Sequence, residues 1–206
     1  MITRGFDISK WQGAFDWRSV RGEAFGFAYI RASNGMNADP CFPVNLPEAR
    51  GVALQPGAYH YFQTGDYVES QVRFFLDRHI PIQPTDAAPW VDVEQAWPSN
   101  IPLKDRAQEI EAFLTLLQKE LPETLVPCLY GGPSFLDANF EPDHTLGKWP
   151  LAVAYYTRKE PWPSWYIPPN WQKPPLPRGW TDWKYWQYGQ LKLANGCIID
   201  GDVRKD

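Results

Sequence analysis

The chain has 206 residues, of which 44% are hydrophobic and 16% aromatic, enough to bury a substantial core, and we expect one domain over residues 1–206. Its formal net charge of -4 argues against nucleic acid or an anionic membrane as the main partner, since both attract basic surfaces. No apolar stretch approaches the roughly 20 residues of a membrane span. Residues 1–7 lack the apolar core of a signal peptide, so we expect synthesis in the cytoplasm without one.

Six short apolar or aromatic runs, each bounded by Gly, Pro or Asn, predict strands. In chain order they are residues 25–32, 57–62, 89–94, 125–131, 151–156 and 185–188. Between them, the spacing of apolar residues predicts amphipathic helices over residues 67–78 and 103–121, and Pro122 ends the second. The alternation of strands and helices indicates a mostly parallel sheet, and strands buried on both faces favour a closed barrel.

In such a barrel, functional side chains gather where the strands end. Polar residues lie at the ends of several predicted strands, namely Arg31, Ser33, His60, Tyr61, Asp92, Glu94 and Tyr130. Each of them alone is most simply a strand-end residue with satisfied hydrogen bonds. Their regular recurrence predicts one polar site at the mouth of the barrel.

The tripeptide Asp92-Val93-Glu94 ends the predicted strand over residues 89–94. Side chains two apart in a strand face the same side, so the two carboxylates lie together while Val93 packs on the opposite face. Paired carboxylates hydrolyse glycosidic bonds when one of them stays protonated near neutral pH, and a neighbouring like charge raises a carboxyl pKa in this way. An isolated Asp-x-Glu is more often an acidic, solvated strand end.

Residues 161–180 form a Pro/Trp-rich loop, because prolines at this density exclude a helix or an interior strand. One interpretation is a lid-like excursion packed on the barrel by Trp162, Trp165 and Trp171. A second, compatible one is a wall of aromatic faces on which sugar rings stack. A ligand for a proline-binding domain at residues 174–178 is a third, although nothing else in the chain suggests signalling.

The cysteines and histidines do not form ligand sets. They are Cys41, Cys128, Cys197, His60, His79 and His144. An odd number of widely spaced cysteines without C-x-x-C spacing indicates reduced thiols rather than a disulfide framework. The histidines show neither i, i+4 spacing nor an H-E-x-x-H motif, so neither a metal site nor a cofactor is predicted.

Several motifs occur in a specific order along the chain. They are Gly5-Phe6-Asp7-Ile8-Ser9-Lys10-Trp11-Gln12-Gly13, Tyr29-Ile30-Arg31-Ala32-Ser33-Asn34-Gly35, Gly57-Ala58-Tyr59-His60-Tyr61-Phe62, Asp92-Val93-Glu94, Trp186-Gln187-Tyr188 and Ile199-Asp200. Together they resemble glycoside hydrolase family 25, the Chalaropsis-type lysozymes or N-acetylmuramidases. The resemblance extends from the N-terminus to about Asp202, nearly the whole chain.

The resemblance implies an α/β fold, a modified TIM-like β/α barrel with five β/α units and irregular, partly antiparallel closing strands. It also implies hydrolysis of the β-1,4 bond between N-acetylmuramic acid and N-acetylglucosamine in bacterial peptidoglycan. Glu94 matches the family's acid/base, and Asp92, Asp7 and Asp200 match the other catalytic carboxylates. The substrate-binding candidates are Tyr61, Tyr130, Trp186, Arg31, His60 and Trp11.

The chain departs from the family pattern in places. Asn34 stands where the family often has a carboxylate. The closing motif Asp200-Gly201-Asp202 contains two aspartates, and the sequence leaves open which of them corresponds to the family's catalytic aspartate. No cell-wall-binding repeats follow the matching portion, so we expect affinity for the wall to come from the groove. We expect a monomer that acts on the bacterial cell wall, as a phage endolysin, a virion lysozyme or an injected effector.

Two other functions fit parts of the sequence. A chitinase-like hydrolase also carries Asp-x-Glu on a barrel strand, but Trp90 stands where a further aspartate would be expected, and the opening motif favours a muramidase. A catalytically dead peptidoglycan-binding barrel has no need for a cluster of mutually repelling acids. The mechanism also has two versions, attack by the substrate's 2-acetamido group with help from Asp92, giving net retention, or direct attack by Asp92.

Overall fold

The computed structural model of the chain describes residues 1–78, 82–169 and 172–206, so His79 and Trp171 lie outside the described residues. Its strands and helices, in chain order, are β1 (Ile2–Ile8), β2 (Phe27–Asn34), β3 (Asn37–Ala38), α1 (Phe42–Gly51), β4 (Gln55–Tyr61), α2 (Val68–Arg78), β5 (Trp90–Asp92), α3 (Leu103–Glu120), β6 (Cys128–Gly131), α4 (Pro133–Asn139), β7 (Leu151–Ala154), β8 (Trp162–Pro163), β9 (Tyr185–Lys192) and β10 (Ile198–Lys205). Short 3-10 helices occupy Lys10–Gln12, Trp17–Val20 and Leu146–Lys148.

Eight of these strands form a closed barrel in the order β1, β10, β9, β7, β6, β5, β4 and β2, and pairing of β2 with β1 completes the ring. Neighbouring strands are parallel except at β10, which runs antiparallel to both β9 and β1. Closure leaves the barrel strands without a free edge. The predicted α/β barrel with a partly antiparallel closing portion is therefore confirmed.

The helices lie in the crossovers that join successive parallel strands. The crossovers after β2, β4, β5 and β6 carry α1, α2, α3 and α4, whereas the crossover from β1 to β2 contains only 3-10 helices. Apolar side chains of α2 and α3 pack against the outer face of the barrel, and those fully buried include Phe75, Ile110, Phe113 and Leu117. The helices predicted at residues 67–78 and 103–121 correspond to α2 and α3.

The six predicted strands correspond to β2, β4, β5, β6, β7 and β9 with shifted ends. The largest shift is in β9, which continues to Lys192 because it pairs with β10 well beyond the mouth of the barrel. Two helices carried no clear sequence signal. In α1, Pro43 and Pro47 lie within a segment of weak apolar periodicity, and α4 spans only Pro133–Asn139.

The interior of the barrel is filled by aromatic side chains that alternate with outward-facing residues along β2, β4, β5, β6 and β9. Tyr29 stacks on Trp90 at 3.6 Å between ring centroids, and Trp90 in turn stacks on Tyr130 at 5.7 Å. Phe27 lies where a side chain at Gly5 would be, 2.3 Å from the position of a β-carbon, so only glycine fits at this position of β1. This packed aromatic layer lies directly beneath the polar residues at the mouth of the barrel.

The Pro/Trp-rich loop packs against the outside of the closing strands in the part that the structure describes. Its short strand β8 pairs with β9, and the ring of Trp162 stacks on Tyr166 at 3.7 Å. The Tyr188 hydroxyl donates to the backbone oxygen of Tyr166 at 3.0 Å. Trp162 thus packs as predicted, whereas Trp165 is 70% exposed and does not hold the loop to the barrel.

Among the described helices, none is both long enough and apolar enough to cross a membrane.

Candidate active site

A cavity of about 480 Å³ opens at the carboxyl ends of the parallel strands. Each of the eight barrel strands, or the loop that follows it, contributes at least one lining residue. They are Asp7, Ser9, Trp11, Arg31, Tyr59, Tyr61, Trp90, Asp92, Glu94, Tyr130, Gly132, Ala154, Tyr156, Gln187 and Asp200. Five of the seven polar strand-end residues line this cavity, whereas Ser33 and His60 do not, so the strand-end pattern predicts the place of the site but not all of its members.

Asp92 and Glu94 both line this cavity, with Val93 buried on the opposite side of the strand. Asp92 is the last residue of β5, and the extended pairing continues one residue further because the Val93 amide donates to the backbone oxygen of Tyr130 at 2.9 Å. The predicted two-residue alternation therefore holds through Glu94. Asp92 is buried at the base of the cavity, while Glu94 is exposed to solvent at its mouth.

The pKa values of both carboxyls are raised. Burial raises the pKa of Asp92 well above its ordinary value, and the charges of Glu94 and Asp7 add to the rise, while Arg31 opposes it. Glu94 keeps solvent contact but lies in a recess walled by protein, and this desolvation, with the charge of Asp200, raises its pKa. A carboxyl accessible to a ligand with a raised pKa is suited to act as a general acid.

Asp7 joins the cavity from the opposite side of the barrel and is held by a chain of hydrogen bonds. The Tyr130 hydroxyl donates to Gln187 Oε1 at 2.8 Å, and Gln187 Nε2 donates to Asp7 Oδ2 at 2.7 Å. Glu94 is the other acceptor near the Tyr130 hydroxyl, whose single proton can serve only one of them at a time. Burial and the charge of Asp200 raise the pKa of Asp7 well above its ordinary value.

The structure separates the two aspartates of the closing motif. Asp200 lines the cavity and accepts a hydrogen bond from the Tyr156 hydroxyl. Burial raises the pKa of Asp200, and the bonds from Tyr156 and Gln190 oppose the rise. Asp202 has no exposed surface and lies one layer deeper in the barrel, level with Gly5. Asp200 is therefore the aspartate of this motif that a ligand can reach.

Arg31 is the cation within this ring of acids. Its Nε donates to Asp39 Oδ2 at 2.9 Å, and both side chains are buried. Asp39 also accepts bonds from the backbone amides of Lys10 and Cys41, so its oxygens are occupied by donors. Because Asp39 fixes the guanidinium beside Asp92, Arg31 stabilises the anionic form of Asp92 in a site that otherwise disfavours it.

Aromatic side chains form the rim of the cavity. Trp11 is 79% exposed and sits on the 3-10 helix Lys10–Gln12. The Ser9 side chain and the Gln12 side chain cap this helix reciprocally, which holds Trp11 at the rim. Tyr61 and Tyr156 also line the cavity, and both keep part of their surface in solvent.

Two predicted substrate-binding residues do not line the cavity. His60 is fully buried outside the barrel wall, where it bonds Ser33 and Gln71 and stacks on Phe113 at 4.9 Å. This burial lowers the pKa of His60 to about 4. Trp186 is buried in the outer core, and its Nε1 donates to the backbone oxygen of Tyr155 at 2.9 Å.

Both corrections have the same cause. His60 precedes Tyr61 and Trp186 precedes Gln187, and adjacent residues of a strand face opposite sides. Only one member of each pair can face the cavity, and the structure shows that it is Tyr61 and Gln187. Gln187, Tyr156, Tyr59, Trp90 and Ser9 were not predicted as site residues. Strict alternation from Tyr61 and Asp92 identifies Tyr59 and Trp90. Tyr156 lies two residues beyond Ala154, the last residue of β7, and lines the cavity with it, but the sequence does not show which face of this strand turns inward.

Other sequence predictions fall outside this site. Asn34 bonds the side chain of Gln63 and is not among the cavity residues. No described residue of the Pro/Trp-rich loop lines the cavity, so a sugar-binding wall is not found there. In the described parts of the chain, no group of three or more His, Cys, Asp or Glu side chains is arranged to hold a metal ion.

A closed α/β barrel whose mouth is ringed by carboxyl groups has the arrangement of a glycoside hydrolase. The chain belongs to glycosyl hydrolases family 25, which matches residues 6–197. The family resemblance and the glycoside hydrolase class predicted from the motifs are thereby confirmed.

The chain is similar to individual proteins at low sequence identity or over a short segment. YegX of Escherichia coli O157:H7, an uncharacterized protein, is 28% identical over 203 aligned positions, and the match covers 94% of this chain and 66% of YegX. Lysozyme M1 of Streptomyces globisporus is 41% identical over 59 residues, 28% of this chain and 20% of that lysozyme. The solved muramidase from Acremonium alcalophilum superposes with a TM-score of 0.82 at 21% identity, covering 99% of this chain and 94% of that one. The chain therefore spans about two thirds of the first relative and a fifth of the second.

Proposed function

We propose that this protein is a muramidase that hydrolyses the β-1,4 bond between N-acetylmuramic acid and N-acetylglucosamine in bacterial peptidoglycan. The observation that carries the proposal is the pairing of Asp92 and Glu94 at the end of β5, inside a cavity that also contains Asp7 and Asp200. The family match over residues 6–197 and the likeness to a lysozyme and a muramidase support the same substrate class.

Glu94 protonates the leaving glycosidic oxygen in this proposal. Its side chain is exposed at the cavity mouth, where a polysaccharide can reach it, and its raised pKa keeps a proton available at higher pH than for an ordinary glutamate. After the leaving group departs, the ionised Glu94 accepts a proton from the incoming water.

Asp92 holds the 2-acetamido group of the substrate. Its carboxyl lines the cavity and the residue keeps 6% of its surface exposed there, so a ligand in the cavity can donate the acetamido N–H to it. That bond orients the acetamido oxygen towards the anomeric carbon, and hydrolysis then proceeds with net retention. Asp7 and Asp200 add negative charge that stabilises the oxocarbenium-like transition state.

A chitinase-like hydrolase or an inactive peptidoglycan-binding barrel is less well supported. An inactive barrel would retain at its mouth four carboxyls whose pKa values are raised by burial, at a cost in stability that binding alone does not require. We further propose that the protein acts as a monomer on the bacterial cell wall. Delivery as an endolysin, a virion lysozyme or an injected effector stays a prediction.

The products of wall digestion test this function. Purified peptidoglycan is digested with the protein, reduced with borohydride and analysed by mass spectrometry. We expect the new reducing ends to lie on N-acetylmuramic acid. Reduced glucosamine ends would instead indicate a glucosaminidase, cleavage confined to peptide stems would indicate a peptidase, and binding without cleavage would indicate an inactive barrel.

A further inference from the structure

Asp202 is a buried carboxyl that the proposed reaction does not use. The side chain is 0% exposed, and neither of its oxygens accepts a hydrogen bond from any described residue. It lies on β10 opposite Gly5 of β1 and opposite Gln187 of β9, next to a bulge between Gly201 and Asp202. A buried polar group without a partner is unfavourable, so its chemical state requires an explanation.

The described residues around Asp202 include acids, and none of them donates a hydrogen bond to it. The titratable groups that interact with it are Asp7 on β1, Asp200 on its own strand, and the Tyr156 and Tyr188 hydroxyls. Because Gly5 has no side chain, the carboxyl of Asp202 adjoins that of Asp7, close enough for a hydrogen bond between the two. Two adjacent buried carboxylates cannot both be ionised without strong repulsion, so this pair shares a proton.

The hydrogen bonds decide which carboxyl carries the proton. Asp7 Oδ2 accepts an N–H from Gln187 at 2.7 Å, and such a bond stabilises a carboxylate. No described residue donates such a bond to Asp202, so its ionised form would be an unpaired charge in an aromatic interior. The proton is therefore more stable on Asp202. The resulting carboxyl O–H of Asp202 can donate a hydrogen bond to Asp7.

We propose that Asp202 is a positioning residue that remains protonated and donates its carboxyl O–H to Asp7. Asp7 then faces the cavity as a carboxylate fixed between Asp202 and Gln187. This inference rests on the proposed function, because it assigns Asp202 to the reaction through Asp7. Asp202 itself lies below the cavity and touches no substrate.

Carbon-13 NMR of protein labelled at the aspartate carboxyl carbons tests the protonation directly. The Asp202 signal is identified by its loss in Asp202→Asn, with Asp143→Asn, an exposed position, as the labelling control. We expect the chemical shift of a protonated acid at neutral pH. A carboxylate shift at neutral pH would overturn the proposal.

Kinetics of two variants test the positioning role. In Asp202→Asn, an amide N–H can replace the donated O–H, so we expect most of the wild-type kcat. In Asp202→Val no donor remains, and we expect kcat to fall roughly 10- to 100-fold with little change in KM, the range for losing a hydrogen bond to a charged group. An unchanged kcat in Asp202→Val, or an equal loss in both variants, would contradict the role.

A failure of this inference can be distinguished from a failure of the proposed function. The NMR measurement needs no substrate, so it stands even if digestion yields no muramic acid ends, and it also decides the matter if Asp202→Val does not fold. If the protein releases muramic acid reducing ends but Asp202 is ionised, the proposed function stands and only the role of Asp202 is contradicted.

Discussion

Asp7 and Asp200 lie directly opposite each other in the antiparallel pair of β1 and β10. The first motif of the chain and the last motif therefore meet at one point of the barrel mouth, because β10 is the single barrel strand that runs against its neighbours. The charge of Asp200 raises the pKa values of both Asp7 and Glu94. The closing strand thus contributes to the acidity of the site as well as to the closure of the barrel.

The pH dependence of hydrolysis follows from these shifts. Glu94 must carry a proton to act as the acid, so the rate falls as pH rises through its raised pKa. The charge of Asp200 contributes to the raised pKa of Glu94, so Asp200→Asn should move this alkaline fall to lower pH. Rates of wall lysis across a pH series check the prediction. An alkaline limb in the same place in the wild type and in Asp200→Asn would mean that the charge of Asp200 does not raise the pKa of Glu94.

The stereochemistry of the reaction distinguishes the possible roles of Asp92. With acetamido assistance, early-time NMR of a hydrolysed short oligosaccharide should show the retained anomer. An inverted anomer would make Asp92 a base acting on water. Retention accompanied by a covalent glycosyl adduct on Asp92, detected by mass spectrometry, would replace assistance with direct attack.

The buried acids should also reduce the stability of the fold at neutral pH. The pKa of Asp92 is raised by folding, so its stabilising contribution is complete below the ordinary carboxyl pKa of about 3.9 and is lost as pH rises through the raised value. Asparagine has no ionisable carboxyl, so the Asp92→Asn variant does not lose stability in this way as pH rises. We therefore expect the variant to gain about 1 kcal/mol or more in free energy of unfolding at neutral pH, and less in acid.

Urea denaturation of the wild type and Asp92→Asn at neutral and acidic pH measures this difference. Asp143→Asn, at an exposed position, is the matched control and should leave the free energy of unfolding unchanged. Equal or lower stability of Asp92→Asn at neutral pH would show that the Asp92 carboxyl is stabilised by its surroundings.

Much of this architecture follows from the sequence because alternation and spacing are local properties. The pairing of Asp92 with Glu94 on one strand face could be derived from two-residue periodicity alone. The placement of Asp200 above Asp202 could not, because it depends on the register of β10 against β1. Similarly, the choice between Trp186 and Gln187 requires knowing which face of β9 turns inward, and both residues suit a sugar groove chemically.

Trp11 offers a separate test of substrate binding. One side of its ring is covered by the Lys10 ammonium at 5.1 Å, and most of its surface is exposed at the cavity rim. Burial of such a ring against a sugar contributes roughly 1.5 kcal/mol, so Trp11→Ala should lower kcat/KM about tenfold without loss of stability. Trp165→Ala is the matched control, since that exposed tryptophan lies outside the cavity and should not change kcat/KM. Equal effects of both variants would exclude Trp11 as a binding surface.

The central claim is that Glu94 supplies the proton for cleavage of the glycan, and its amide variant tests this most directly. Release of new muramic acid reducing ends from purified peptidoglycan should be compared among the wild type, Glu94→Gln and the exposed control Glu123→Gln. We expect Glu94→Gln to fold with an unchanged circular dichroism spectrum and to lose at least roughly 100-fold in rate, the scale of general acid catalysis. Glu123→Gln should retain the wild-type rate. Near wild-type release of reducing ends by folded Glu94→Gln would contradict the account.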